Sequence, residues 1–190
     1  MIETWWPVQI GYYDNPDHFS LEDKLTKECL SIMKNTKKGG KGWISDSTYN
    51  TSNGVHEVHK NKKFDLLNKW ILNQVNKYIE ETSMVFKIKE MDSWFNIYKK
   101  NDFQEFHEHY NSCISCVYFL KSNKKSSRLI FKSSVSDFKN IKYNNFVSLN
   151  APVHYQPIPG RLIVFRSFMF HCVEKQKNNE LRISLAYNFY

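Results

Sequence analysis

The chain reads as a mainly β protein with flanking helices, an antiparallel barrel or sandwich whose helices cover one sheet. Three observations predict it. Apolar residues recur at helical spacing in two segments before residue 82, then at a period of two from residue 84 to the end. The strand-like runs follow one another with only turn residues between them, which excludes a βαβ array. The 190 residues, 41% hydrophobic and 16% aromatic, suffice for one domain with a real core.

The elements follow in order. Residues 1–13, "MIETWWPVQIGYY", alternate aromatic and apolar positions and fit an opening strand. Ser20 suits an N-cap, with Glu22 and Asp23 behind it and Leu21, Leu25, Cys29 and Met33 at helical spacing, so a helix is expected over about 21–35. The glycine-containing stretch after it reads as loop. Leu66, Leu67, Trp70, Ile71, Val75, Tyr78 and Ile79 mark a second amphipathic helix, about 64–81. Strands are then expected within 84–100, 113–122, 127–134, 147–159, 161–168 and 182–190, with "KSNKKSSR" (121–128) as an exposed connection.

The net charge of +8 comes mostly from lysine spread along the chain beside much asparagine; the arginines are Arg128, Arg161, Arg166 and Arg182. A nucleic-acid binder more often gathers its basic residues on one face and uses arginine. A solvated lysine-rich surface is therefore the favoured reading over a polyanionic partner. Cys113 and Cys116 have CxxC spacing, but no second CxxC completes a zinc site, so all four cysteines are expected as buried free thiols. No run approaches the roughly 18 apolar residues of a membrane span, and the start lacks a signal-peptide pattern. A reducing, cytosolic setting is the expectation.

The chemistry-bearing stretch is "QEFHEHYNSCISCVYFL". On an extended segment residues i and i+2 share a side, so His107 and His109 face together while Glu108 faces away. His171 follows the apolar strand 162–165 and is the third candidate. His18, His56, His59 and His154 show no partner pattern. On the returning strand Arg182 and Ser184 are again i and i+2. An arginine inside an apolar strand is costly unless an anion pairs with it. That anion is either a protein carboxylate or a ligand carboxylate held bidentately beside the serine hydroxyl.

The order HxH, "SCVYFL", "GRLIVFRSFMFH" and "RISLAYN" resembles the Fe(II)/2-oxoglutarate-dependent oxygenases. More narrowly it is similar to the small, prolyl-hydroxylase-like oxygenases of bacteria and phages, and the lysine- and asparagine-heavy composition suits an AT-rich source of that kind. The resemblance is most specific over 92–190 and looser before it. It implies a double-stranded β-helix (jelly-roll) over the whole chain, with helical support at about 20–81 and a metal-binding core at about 84–190. It also implies cytosolic chemistry with Fe(II), 2-oxoglutarate and O2, His107 and His171 as metal histidines, and Arg182 with Ser184 at the far carboxylate of 2-oxoglutarate. Asn96 and Tyr98 would line the cosubstrate pocket, together with one of Tyr118 and Phe119, Tyr118 being the candidate with the hydroxyl that some relatives use. Loops 40–63 and 99–111 would admit the prime substrate.

The departure is His109, which stands where the family's usual two-histidine, one-carboxylate triad has its carboxylate. Three neutral imidazoles suit ferrous iron, but also zinc or nickel. Two rivals keep the same residues. One is a three-histidine cupin-type dioxygenase without 2-oxoglutarate, in which Arg182 and Ser184 hold a substrate carboxylate. The other is a non-catalytic module whose lysines meet nucleic acid.

Overall fold

The computed structural model describes residues 8–40, 43–132 and 152–190. It contains two α-helices, α1 (His18–Asn35) and α2 (Asp65–Glu81), two short 3-10 turns (Val58–Lys60 and Lys62–Phe64) and ten strands. The strands are β1 (Ile10–Asp14), β2 (Tyr49–Asn50), β3 (Met91–Tyr98), β4 (Gln104–His107), β5 (Ile114–Lys121), β6 (Leu129–Phe131), β7 (Val153–Tyr155), β8 (Arg161–Arg166), β9 (His171–Val173) and β10 (Arg182–Phe189). They form a six-stranded sheet in the order β1-β8-β5-β10-β3-β2 and a four-stranded sheet in the order β4-β9-β6-β7. Every pairing described is antiparallel. Of the expected strand regions, residues 1–7 and 133–151 lie outside the described residues.

Strand alternation divides the interior into two layers. From β10, Ile183, Leu185, Tyr187 and Phe189 point to one side and join Phe95 and Ile97 of β3, Tyr118 and Leu120 of β5, and Leu162 and Val164 of β8. Leu25 and Cys29 of α1 and Leu67, Ile71 and Val75 of α2 cover this layer. Each large side chain so buried contributes on the order of 1.5–3 kcal/mol. The opposite face of the same sheet meets the four-stranded sheet. Phe119, Ile163 and Phe165 pack there against Leu129, Phe131 and Val173. All eight residues of β10 are buried, so its alternate polar residues face the space between the sheets and not water.

Local departures have local causes. Helix α1 begins three residues before the expected start because Asn15 Oδ1 accepts the Asp17 amide at 3.0 Å and turns the chain early. Ser20 is therefore inside the first turn, its hydroxyl donating to the Asp17 carbonyl, and is not the N-cap. Residues 84–90 form no strand, and pairing starts at Met91. In the 121–128 connection Lys124 and Lys125 are exposed, but Ser126 and Ser127 are buried, the Ser127 amide donating to Gln176. Cys29, Cys116 and Cys172 are buried, whereas Cys113 is exposed, one residue short of β5. No helix among the described residues is long and apolar enough to cross a membrane.

Gly160 ties the layers together at the turn into β8. Its amide donates to the Phe119 carbonyl and its carbonyl accepts from the Asn15 amide, both at 2.9 Å. Its φ is +83°, and a Cβ there would stand 2.8 Å from His18 Cβ and Cγ. Gly160→Ala combines left-handed strain with overpacking, and a loss of about 1–3 kcal/mol is expected by urea denaturation.

Candidate metal and anion centre

Antiparallel pairing of β4 with β9 sets His107 opposite His171, with ring centroids 4.2 Å apart. His109 lies beyond the end of β4, where its amide donates to the Ser167 carbonyl at 3.0 Å. Its ring centroid is 5.2 Å from that of His107 and 5.0 Å from that of His171. One ring nitrogen of each histidine lies within 4.8 Å of the other two.

The surrounding hydrogen bonds decide which nitrogens converge. Nδ1 of His107 is 2.8 Å from the Glu105 carbonyl, and Nδ1 of His171 is 2.7 Å from the Met169 carbonyl. A carbonyl only accepts, so both protons sit on Nδ1 and both Nε2 atoms keep a lone pair. Nδ1 of His109 is 2.6 Å from Asn188 Oδ1 and 2.8 Å from Ser115 Oγ. Ser115 Oγ is itself 2.8 Å from both Asn188 Oδ1 and Ser167 Oγ. Burial, then the neighbouring imidazoles, hold His171 well below the usual histidine range. Burial and His107 push His109 down to about 4, and burial lowers His107 as well. Three neutral imidazoles, each anchored through Nδ1, form a donor set suited to a divalent transition metal, with Nε2 of His107 resting against the Gln104 side-chain amide.

Deeper between the sheets, Arg182 is fully buried. Its Nη1 is 3.4 Å from Ser184 Oγ, while Nε and Nη2 have no partner. None of the ion pairs among the described residues includes it. The guanidinium instead lies over the Tyr98 ring, 4.5 Å from its centroid, and 5.5 Å from that of Phe119. Burial lowers its pKa, and a buried cation without a counter-charge costs several kcal/mol. The two unpartnered nitrogens present N–H groups in a fork that fits a carboxylate. Tyr98 links the two regions: its hydroxyl donates to Gln104 Oε1 at 3.2 Å, and Gln104 Nε2 lies 3.3 Å from His107 Nε2.

The structure thus gathers His107, His109 and His171, and on the same interior face Tyr98, Arg182 and Ser184. Asn96 is buried opposite Ser184, with its Oδ1 unpartnered. Tyr118 requires a correction. It faces the helices, where its hydroxyl contacts Asn15 and His18, and Phe119 takes the inward position. Glu108 is not in the histidine cluster, nor are His18, His56, His59 and His154. Sequence reasoning missed Gln104, Ser115 and Asn188. Asn188 carried a signal, since it shares the period-two face of Arg182 and Ser184.

The site opens into a cavity of about 420 Å³, bounded partly by Trp43, Ser52, Glu105 and Tyr110 of segments 40–63 and 99–111, which contain β2 and β4 and so are not loops throughout. Residues 92–188, just over half of the chain and all the residues gathered above, match the family model described as "Putative 2OG-Fe(II) oxygenase". The chain belongs to this family, the 2-oxoglutarate- and Fe(II)-dependent oxygenases. No curated protein sequence matches it. Similar solved structures include a Pseudomonas putida prolyl-4-hydroxylase, 14% identical with a TM-score of 0.63 over 96% of this chain and 92% of that one. A Trichoplax adhaerens prolyl hydroxylase, solved with a hypoxia inducible factor oxygen degradation domain peptide fragment, is 12% identical with a TM-score of 0.67 over 95% and 83%. HygX of Streptomyces hygroscopicus, with nickel, 2-oxoglutarate and hygromycin B bound, is 7% identical with a TM-score of 0.63 over 96% and 82%. At these identities the likeness establishes the double-stranded β-helix fold.

The inward and outward placements on β5 separate experimentally. Tyr118→Phe is expected to lower stability by about 0.5–1.5 kcal/mol in chemical denaturation, through lost hydrogen bonds to Asn15 and to His18 of α1. Its 2-oxoglutarate affinity should stay within about 2-fold of wild type in calorimetric titration, a change worth less than 0.5 kcal/mol.

Proposed function

We propose that His107, His109 and His171 are the three protein ligands of Fe(II), and that Arg182 and Ser184 bind the distal carboxylate of 2-oxoglutarate. The chain as a whole would act as one oxygenase domain in a reducing cytosol. The carrying observation is the pairing of three clustered imidazole donors with a buried guanidinium that has no ion-pair partner among the described residues, on the same interior face.

When bound, iron and 2-oxoglutarate supply the oxidising chemistry: O2 is consumed, the keto acid is decarboxylated to succinate, and a C–H bond of the prime substrate is hydroxylated. The protein's residues bind, orient and exclude. Arg182 offers Nε and Nη2 as a fork matched to a carboxylate, and Ser184 adds a hydroxyl. The aromatic faces of Tyr98 and Phe119 keep water from the guanidinium, so its attraction for an anion is little screened. Asn188 and Ser115 hold His109 in the tautomer that presents Nε2. With an imidazole at position 109 the first shell contributes no negative charge, one unit less than a carboxylate triad gives. That favours a dianionic cosubstrate.

Titrating the anaerobic Fe(II) protein with 2-oxoglutarate should produce a weak visible metal-to-ligand charge-transfer band, and oxygen should then release succinate. Both are expected to vanish in His171→Ala. A wild-type protein that binds iron without developing the band would favour the three-histidine dioxygenase that lacks the keto acid.

Arg182→Met separates function from stability. Removing a buried, uncompensated charge should leave the cofactor-free protein as stable as wild type, or more stable by about 1–4 kcal/mol. The same change should weaken 2-oxoglutarate binding on the order of 100-fold or more, since about 3 kcal/mol of charge-assisted bonding is lost. Paired urea melts and calorimetric titrations measure the two effects.

A further inference from the structure

The cavity above the histidines has a charge opposite to that of the chain. Asp92, Glu105 and Glu108 line it with Trp43, Trp94 and Tyr110, and among the described residues no lysine or arginine does, although the chain carries 27 of them. The acidic groups come from separate segments. Asp92 lies in β3 on the same face as Trp94, and Glu105 lies in β4, two residues before His107.

Two carboxylate oxygens here are unsatisfied. Asp92 Oδ2 accepts from the Tyr190 hydroxyl at 3.1 Å, and Glu105 Oε1 accepts from the Ile44 amide at 3.1 Å. Asp92 Oδ1 and Glu105 Oε2 are buried and have no partner. A buried carboxylate oxygen without a donor is as costly as a buried donor without an acceptor. The aromatic walls add the negative faces of their rings, which attract cations most strongly where water is excluded. Trp94 also borders the metal centre, its ring centroid 5.6 Å from that of His109. A group held between Trp94 and the carboxylates is thereby next to the point where the three histidines converge.

We infer that the prime substrate carries a cationic nitrogen, an organic ammonium or guanidinium, which Asp92 and Glu105 bind between the aromatic walls beside the metal centre. The inference rests on the reading of this cavity as the catalytic one and adds the substrate class to it. The unpaired oxygens would accept the N–H groups of the cation, leaving its carbon chain directed at the histidines. Polyanions, nucleic acids among them, are disfavoured at this mouth whatever the lysines do elsewhere.

The test uses the Fe(II)- and 2-oxoglutarate-loaded protein without oxygen, titrated calorimetrically. The probes are the N-acetyl methylamides of lysine, arginine, norleucine and glutamate, which mimic a peptide side chain, together with free L-lysine and L-arginine. The lysine or arginine probe, or the corresponding free amino acid, should bind at least about 10-fold tighter than the norleucine probe. The Asp92→Asn/Glu105→Gln double variant should reduce that preference to less than about 3-fold. Tighter binding of the acylated forms identifies a peptide source, and tighter binding of the free amino acids a small-molecule source. Equal binding of the norleucine or glutamate probe, binding of none of the probes, or a preference that persists in the double variant overturns the inference. The charge-transfer titration on the same samples keeps the two readings apart. A wild type that fails to take up 2-oxoglutarate counts against the roles of Arg182 and the histidines. Intact uptake without charge preference counts only against the cationic substrate.

Discussion

A guanidinium sealed between two β-sheets, with no carboxylate beside it among the described residues, is the constraint from which the architecture follows. Arg182 is fully buried, and two of its three nitrogens are unpartnered. The fold holds it there because β10 is paired on both sides, to β3 and to β5, and because its alternate residues anchor the larger core under the helices. Backbone pairing and apolar burial on one face fix the register, and the register leaves the opposite face no choice of position. The cost of the buried charge is carried by the rest of the strand, and on the proposed reading an anion would recover it.

The same strand also reaches the metal centre. Six residues after Arg182, on the same face, Asn188 accepts the Nδ1 proton of His109. The other two histidines take their orientation from carbonyls of their own segments, at positions i−2. All three Nδ1 partners are neutral, so among the described residues no carboxylate stands in the histidine cluster or behind its imidazoles. On the proposed reading, the charge of a bound metal would be balanced chiefly by the cosubstrate, so that the histidines and the buried arginine would belong to one electrostatic design.

Much of this was legible in the residues, and the failures share a cause. Period two identified the strands and paired His107 with His109 and Arg182 with Ser184, because alternation within one strand is local information. It could not say which face of β5 looks inward, since β5 is buried on both faces and Tyr118 and Phe119 are both acceptable in a core. Only the register that sets Ser184 beside Phe119 decides it. Gln104 and Ser115 escaped notice for the same reason: their roles depend on contacts across strands. The Ser20 cap failed because Asn15, an equally good turn former, stands earlier in the chain. The Cys113 burial failed because the strand begins one residue later.

Net charge illustrates how a global quantity hides a local one. The chain total of +8 invites a polyanionic partner, yet the described residues around the cavity beside the histidines contribute three carboxylates and no lysine or arginine. Charges beyond about 8–10 Å are largely screened at physiological ionic strength, so scattered surface lysines do little inside a partly enclosed cleft. Carboxylates in contact with a ligand, backed by indole rings and low-dielectric walls, act with far less screening. The sum over the sequence therefore describes solubility and approach. Selection at the metal centre depends on the few groups that touch the incoming molecule, and here those groups favour a cation.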